Sequence, residues 1–288
     1  MIKGLIIFLS VLLAVAFSTL LERKLLSYGQ VRKGPAIVGP VGSFQPFADG
    51  LKLMVKRGVL WRNKLRLLIT PSLTLIVIFL FWMPIRYRIN YINLGCLFIL
   101  TLGSLGGLRV LVVGWYGGRS YSFIGGLRAA AQIISYEVVL SFFFLLFCSI
   151  DWSIDLYSLT YQSVSLIISL GGISCLWGVT ILAETNRAPF DLREGESELV
   201  RGFNTEYSRV LFTMLFIGEY GILAGYGILR SYFLLGRWVI GRVFITLLLW
   251  VRVCFPRKRY DSLILLLWLY YFPLLLISLL WWIWGLLV

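Results

Sequence analysis

Apolar residues run without alternation along most of this chain, in stretches of about 20 separated by short polar or basic segments. A helix needs about that length to cross a hydrocarbon core, whereas the strands of a transmembrane barrel would alternate over segments of about ten residues. Reading each continuous run as one span gives eight, over 2-21, 66-85, 92-114, 126-148, 163-183, 207-229, 238-254 and 263-286. The expected fold class is therefore all-α: a polytopic integral membrane protein of about eight transmembrane helices in a single membrane domain over 1-288. The first run lacks a basic leader followed by a small-residue cleavage site and is read as a retained span. With no presequence visible either, the chain is expected to be made beside its membrane, in a mitochondrion or a bacterium.

One segment has a different period. Within the first polar loop, 22-65, residues 44-57 place Phe47, Leu51, Met54 and Val55 on one stripe and Asp49, Lys52 and Lys56 on another. That pattern describes an amphipathic helix lying in the membrane interface. Two readings are open: a plain anchor with lysines on anionic headgroups, or the mouth of a ligand path.

Composition agrees with the pattern. Across 288 residues, 59% are hydrophobic, mean hydropathy is +0.88 and only 14% are charged, against roughly 25% charged in soluble domains. The net charge of +14 would suggest nucleic acid in a soluble protein, but topology accounts for it without such a partner. Of the 27 lysines and arginines, 21 lie in loops on one side of the eight-span arrangement or next to them, so the positive-inside rule puts the long loops in the matrix or cytoplasm.

Missing residues narrow the chemistry. The chain has no histidine, which excludes a bis-histidine haem, a copper centre and a histidine-based zinc site. Its four cysteines, Cys96, Cys148, Cys175 and Cys254, are far apart and lie in or beside spans, so they are read as apolar packing. No glycine-rich loop has P-loop or dinucleotide-binding spacing. Metal, haem and flavin are therefore not expected, and any electron carriers must sit in partners.

The carboxylates carry the positive information. Glu137 and Glu219 fall deep inside the fourth and sixth spans, where a charge costs about 2.5 to 3.5 kcal/mol and is tolerated facing the bundle interior or water. Such groups are candidates for proton exchange, or else for a structural hydrogen bond between helices. The segment 184-206 is the densest feature. It holds Glu184, Asp191, Glu194, Glu196, Glu198 and Glu206, interleaved with Arg187, Arg193 and Arg201. Clustered carboxylates share protons and titrate as a set, so a path from this loop toward Glu219 and Glu137 is physically reasonable.

Four blocks of sequence then resemble subunit 1 of respiratory complex I, the quinone-site membrane subunit, a family shared with the equivalent subunit of membrane-bound hydrogenases. They are Glu22-Arg23-Lys24 with Gly29 to Pro35, Gln45 to Leu53, Leu127 to Glu137, and Glu184 to Tyr207. A weaker fifth is Arg259-Tyr260-Asp261. The resemblance implies a non-redox membrane subunit of proton-translocating NADH:ubiquinone oxidoreductase in the mitochondrial inner membrane or a bacterial plasma membrane. Its substrate would be ubiquinone. Its partners would be the hydrophilic subunits near the terminal iron-sulfur cluster, neighbouring membrane-arm subunits and lipid.

In that family, residues at the positions of Arg23, Arg32, Gln45, Phe47, Asp49 and Phe203 line or border the tunnel through which ubiquinone enters. Carboxylates at the positions of Glu137, Glu184, Asp191, Glu194, Glu196, Glu198, Glu206 and Glu219 form the proposed route to the proton-pumping arm, and Arg187 would pair within the acidic loop. The chain departs from the family pattern at Ala36, Arg57 and Gly117-Gly118, all in expected matrix-side segments, so the departures bear on contacts to hydrophilic neighbours and not on the intramembrane carboxylates. Two alternatives remain: a stand-alone channel or transporter, which would show inverted repeats and paired broken helices that are not seen here, and the hydrogenase subunit, which would need no quinone.

Overall fold

A computed structural model describes residues 2–56, 64–86, 95–151, 171–191, 202–204, 207–235 and 238–287. Among these residues the regular structure is helical: α1 (Ile2–Gly29), α2 (Gln45–Val55), α3 (Lys64–Arg86), α4 (Gly95–Tyr116), α5 (Ser120–Asp151), α6 (Gly171–Glu184), α7 (Arg209–Leu235), α8 (Trp238–Cys254), α9 (Tyr260–Leu266) and α10 (Phe272–Leu287). Stretches of α1, α3, α4, α5 and α7, together with the run Tyr260–Trp284, are each long and apolar enough to cross a membrane. The remaining two expected spans correspond to the shorter α6 and to α8, of 17 residues. Residues 163-170 of the expected fifth span lie outside the described residues.

Two boundaries differ from the sequence reading. Helix α1 continues through Gly29, eight residues past the expected end of the first span. Hydropathy falls at Glu22-Arg23-Lys24, yet glutamate, arginine, lysine and leucine all favour helix, so the loss of apolar character does not end it. It ends where Arg32 N–H bonds back to Ser27 O at 2.9 Å, with Val31 at φ 56 in the left-handed position usually given to glycine. Helix α2 spans Gln45–Val55, with Pro46 in its first turn, where a missing N–H costs nothing. The last span contains a π-helical turn at Leu267–Tyr271. Pro273, two residues beyond Tyr271, cannot donate to the Leu269 carbonyl, so the ladder shifts register there.

Packing is centred on α5 and α7. Helices α4 and α5 approach closely where Gly114 meets Gly126: a Cβ on Gly114 would lie 2.8 Å from the Gly126 Cα, the small-residue contact by which membrane helices gain dispersion energy. Trp177 of α6 is fully buried against Phe143 and Phe147 of α5 and Phe233 of α7, with ring centroids 6.1, 4.9 and 5.3 Å away. By contrast, Leu5, Leu9 and Leu13 of α1 and Ile277, Trp281 and Trp284 of α10 are exposed, a surface suited to lipid or to apolar partners.

Candidate functional site

The end of α6 places the first acidic residue. Glu184 closes the helix and the chain turns immediately, with Asn186 at φ 50, Arg187 N–H bonding to Leu182 O at 3.1 Å and Phe190 N–H bonding to Arg187 O at 2.8 Å. Gln132, fully buried on α5, pins this turn: its Nε2 donates to Ala183 O at 2.9 Å and Phe190 O at 3.0 Å. Buried carbonyls demand such partners, so one glutamine fixes the start of the acidic segment against α5. Further along, Lys258 N–H bonds to Pro189 O at 3.0 Å, and Arg257 reaches Asp191 at 3.4 Å.

From that turn Arg187 points into the bundle. Its guanidinium lies 3.5 Å from Glu219 Oε2 on α7 and 4.1 Å from the centroid of the Tyr220 ring, combining an ion pair with a cation–π contact. The Tyr220 hydroxyl donates to Glu22 near the end of α1, and Glu22 also pairs with Arg252 of α8. Glu22, Arg187 and Glu219 are all buried. Glu219, Arg187, Tyr220, Glu22 and Arg252 thus form one run of polar contacts linking α7, the acidic turn, α1 and α8. Removing two such charges from water is costly, and the contacts on each group offset that cost.

On the other side of Glu219 lies a small cavity among α3, α4, α5, α7 and the α6 terminus. Its polar lining is Arg109, Glu184, Thr185, Asn186, Glu219 and Tyr226. The Glu184 carboxyl is buried, and Oε2 has no hydrogen-bond partner among the described residues. Both Glu137, partly exposed on α5, and Arg109 are close enough to act electrostatically on Glu184. Glu184 and Glu219 therefore share one polar space, with Glu137 within electrostatic reach of Glu184, so a proton held by one alters the others.

The second group of predicted residues gathers at the corner of α1 and α2. Asp49 of α2 accepts from Arg23 at 2.6 Å and from Gln45 Nε2 at 3.0 Å. Phe47 sets its ring edge-on to Phe17 of α1, 6.1 Å between centroids at 78°. Helix α2 touches both α1 and α7, while its stripe of Phe47, Leu51, Met54 and Val55 remains exposed. Arg32 is exposed as well. Phe203 sits in a 3-10 turn, Gly202–Asn204, and its side chain lies outside the described residues.

The structure therefore brings Glu184, Arg187 and Glu219 together, with Glu137 within electrostatic reach, and separately joins Arg23, Gln45 and Asp49. Glu194, Glu196, Glu198 and Glu206 lie outside the described residues. Sequence reasoning did not assign roles to Glu22, Arg109, Tyr220, Tyr226 or Arg252. A signal existed for Arg252, an arginine inside an expected span, where charge calls for a partner. None existed for the two tyrosines, because aromatic residues in spans are ordinary.

Comparison with known proteins supplies a broader frame. A family model described as NADH dehydrogenase matches residues 2–283. The chain is similar to NADH-ubiquinone oxidoreductase chain 1 of Salmo salar, 43% identical over 94% of this chain and 90% of that one. It is similar also to the proteins of the same name from Osphranter rufus, 42% identical over 95% and 92%, and Notamacropus eugenii, 42% identical over 98% and 95%.

Proposed function

Because this chain belongs to the NADH dehydrogenase family and is similar along nearly its whole length to NADH-ubiquinone oxidoreductase chain 1, we propose that it is the membrane subunit of a proton-translocating NADH:ubiquinone oxidoreductase that forms the tunnel for ubiquinone. It carries no redox centre. Electrons reach the quinone from the terminal iron-sulfur cluster of neighbouring hydrophilic subunits. The corner of Arg23, Gln45, Phe47 and Asp49, with Arg32 and Phe203, borders the tunnel. Glu137, Glu184, Asp191 and Glu219, with Arg187 and the acidic residues Glu194, Glu196, Glu198 and Glu206, couple quinone reduction to protons. The membrane is the mitochondrial inner membrane, with the long basic loops on the matrix side.

The observation that carries this reading is the adjacency of the two groups. Glu22 and Arg23 are neighbours on one turn of α1: Arg23 reaches Asp49, and Glu22 reaches Arg252 and Tyr220, which carries Arg187 on its ring. A change in charge beside Arg23 therefore acts on a buried ion pair through few intermediates. In a desolvated setting, charge interactions decay less than they would in water. No redox cofactor is needed for that transmission, only charged groups with more than one state of protonation or pairing.

The test separates electron entry from quinone access. In the assembled complex, Asp49→Ala should lower NADH:ubiquinone turnover while NADH oxidation by an artificial acceptor that takes electrons upstream stays unchanged. Equal loss of both activities would overturn the tunnel assignment.

A further inference from the structure

A phenol also lines the carboxylate cavity. Tyr226 stands on α7 seven residues beyond Glu219, with Ile222 between them, and all three line the cavity. Positions i, i+3 and i+7 share one helix face, and seven residues advance the helix by about 10 Å. The hydroxyl thus extends the polar lining two turns deeper into α7 than Glu219 does.

The ring is held in place from two sides. Phe81 meets it edge-on with centroids 5.1 Å apart at 69°, an approach that depends on Gly225, where a Cβ would fall 2.3 Å from Phe81. The oxygen lies against α4 at Gly103, where an added Cβ would sit 3.2 Å away. Packing alone would be satisfied by phenylalanine, so the oxygen is the part that needs explanation. Tyr226 is almost fully buried, and it lines the cavity. A buried hydroxyl calls for a hydrogen-bond partner, and Glu184, whose Oε2 has none among the described residues, lines the same cavity. Glu184, Glu137 and Arg109 all act electrostatically on Tyr226.

We propose that Tyr226 is a proton-relaying residue, its hydroxyl passing protons through bound water between Glu184 and Glu219, the two carboxylates that line the cavity with it. A phenol does this without net change: its oxygen accepts a proton from a donor carboxylic acid or water as its own O–H proton leaves to the acceptor carboxylate. One O–H bond forms as one breaks, and no electrons move. Both functions are present in one group, a donor and an acceptor lone pair, and bridging water completes the distance. The proposal rests on the carboxylate-coupling reading above.

The test is Tyr226→Phe in the assembled complex, reconstituted into sealed vesicles and compared with Glu184→Gln. The substitution removes one oxygen and keeps the contacts with Phe81. NADH:ubiquinone turnover in water and in deuterium oxide, and proton uptake, are recorded for both. The relay predicts normal assembly, turnover lower by about fivefold or more, the equivalent of one lost hydrogen bond in the rate-limiting transfer, and a larger solvent isotope effect. Unchanged turnover for Tyr226→Phe with a loss for Glu184→Gln would overturn the relay and leave the carboxylate reading standing. No effect from either variant would overturn both. Slower turnover without a change in isotope effect, or failure to assemble, would make the hydroxyl structural and also overturn the relay.

Discussion

The chain contains two arginine–carboxylate pairs of opposite character. Arg23 and Asp49 lie 2.6 Å apart with side chains 55% and 35% exposed, whereas Arg187 and Glu219 lie 3.5 Å apart with both 9% exposed. The closer pair is the weaker one. Water screens it, and exposed ion pairs contribute about 0 to 1 kcal/mol. The buried pair has given up its hydration, so each charge now depends on the groups around it, and removing one strands the other. Distance alone would rank the two wrongly. The exposed corner can be altered with little structural consequence, as suits a surface that meets a ligand, while the buried seam is sensitive to any change of charge, as suits a coupling element.

That contrast can be broken in graded steps. The largest effect should come from Arg187→Met, which removes the cation 3.5 Å from buried Glu219. It should cost about 3 to 5 kcal/mol, seen as loss of the assembled complex or a sharply lower inactivation temperature. Adding Glu219→Leu to the same chain should recover part of that loss, and no recovery would mean that the two charges are not coupled. Next comes Arg252→Leu, which leaves Glu22 with Tyr220 as its partner. A cost of about 2 kcal/mol, the value of a hydrogen bond to a charged group, should appear as a smaller fall in inactivation temperature. The smallest structural effect should be that of Arg23→Ala, under about 1 kcal/mol, with quinone turnover reduced well beyond what so small a loss of stability would cause. If Arg23→Ala destabilised the complex as much as Arg187→Met, the distinction between the two regions would fail.

The sequence made the architecture legible because lipid imposes a strong pattern: apolar runs of fixed length have few structural solutions. It also singled out Glu137 and Glu219, since charge at those positions conflicts with a membrane, and Glu184 with Arg187, since they open the densest run of charge in the chain. The end of α1 was not legible, because hydropathy marks where lipid ends and not where a helix ends, and Glu22 to Gly29 remain helical. Nor were the partners of Glu22. Tyr220 and Arg252 lie 198 and 230 residues away in sequence, and their meeting follows only from how α1, α7 and α8 pack. Tyr226 was hidden for a similar reason: its ring is ordinary core, and only the cavity beside its oxygen distinguishes it.

The coupling role of the buried seam is tested most directly by Glu184→Gln, which keeps the side chain's shape at the end of α6 while removing its ability to take up and release a proton. In sealed vesicles containing the full complex, quinone reduction and proton uptake should fall together, with NADH oxidation by an upstream acceptor and assembly both retained. Proton uptake and quinone reduction at wild-type rates would contradict the account, as would an absence of assembled complex, which would make the acidic turn chiefly a structural element.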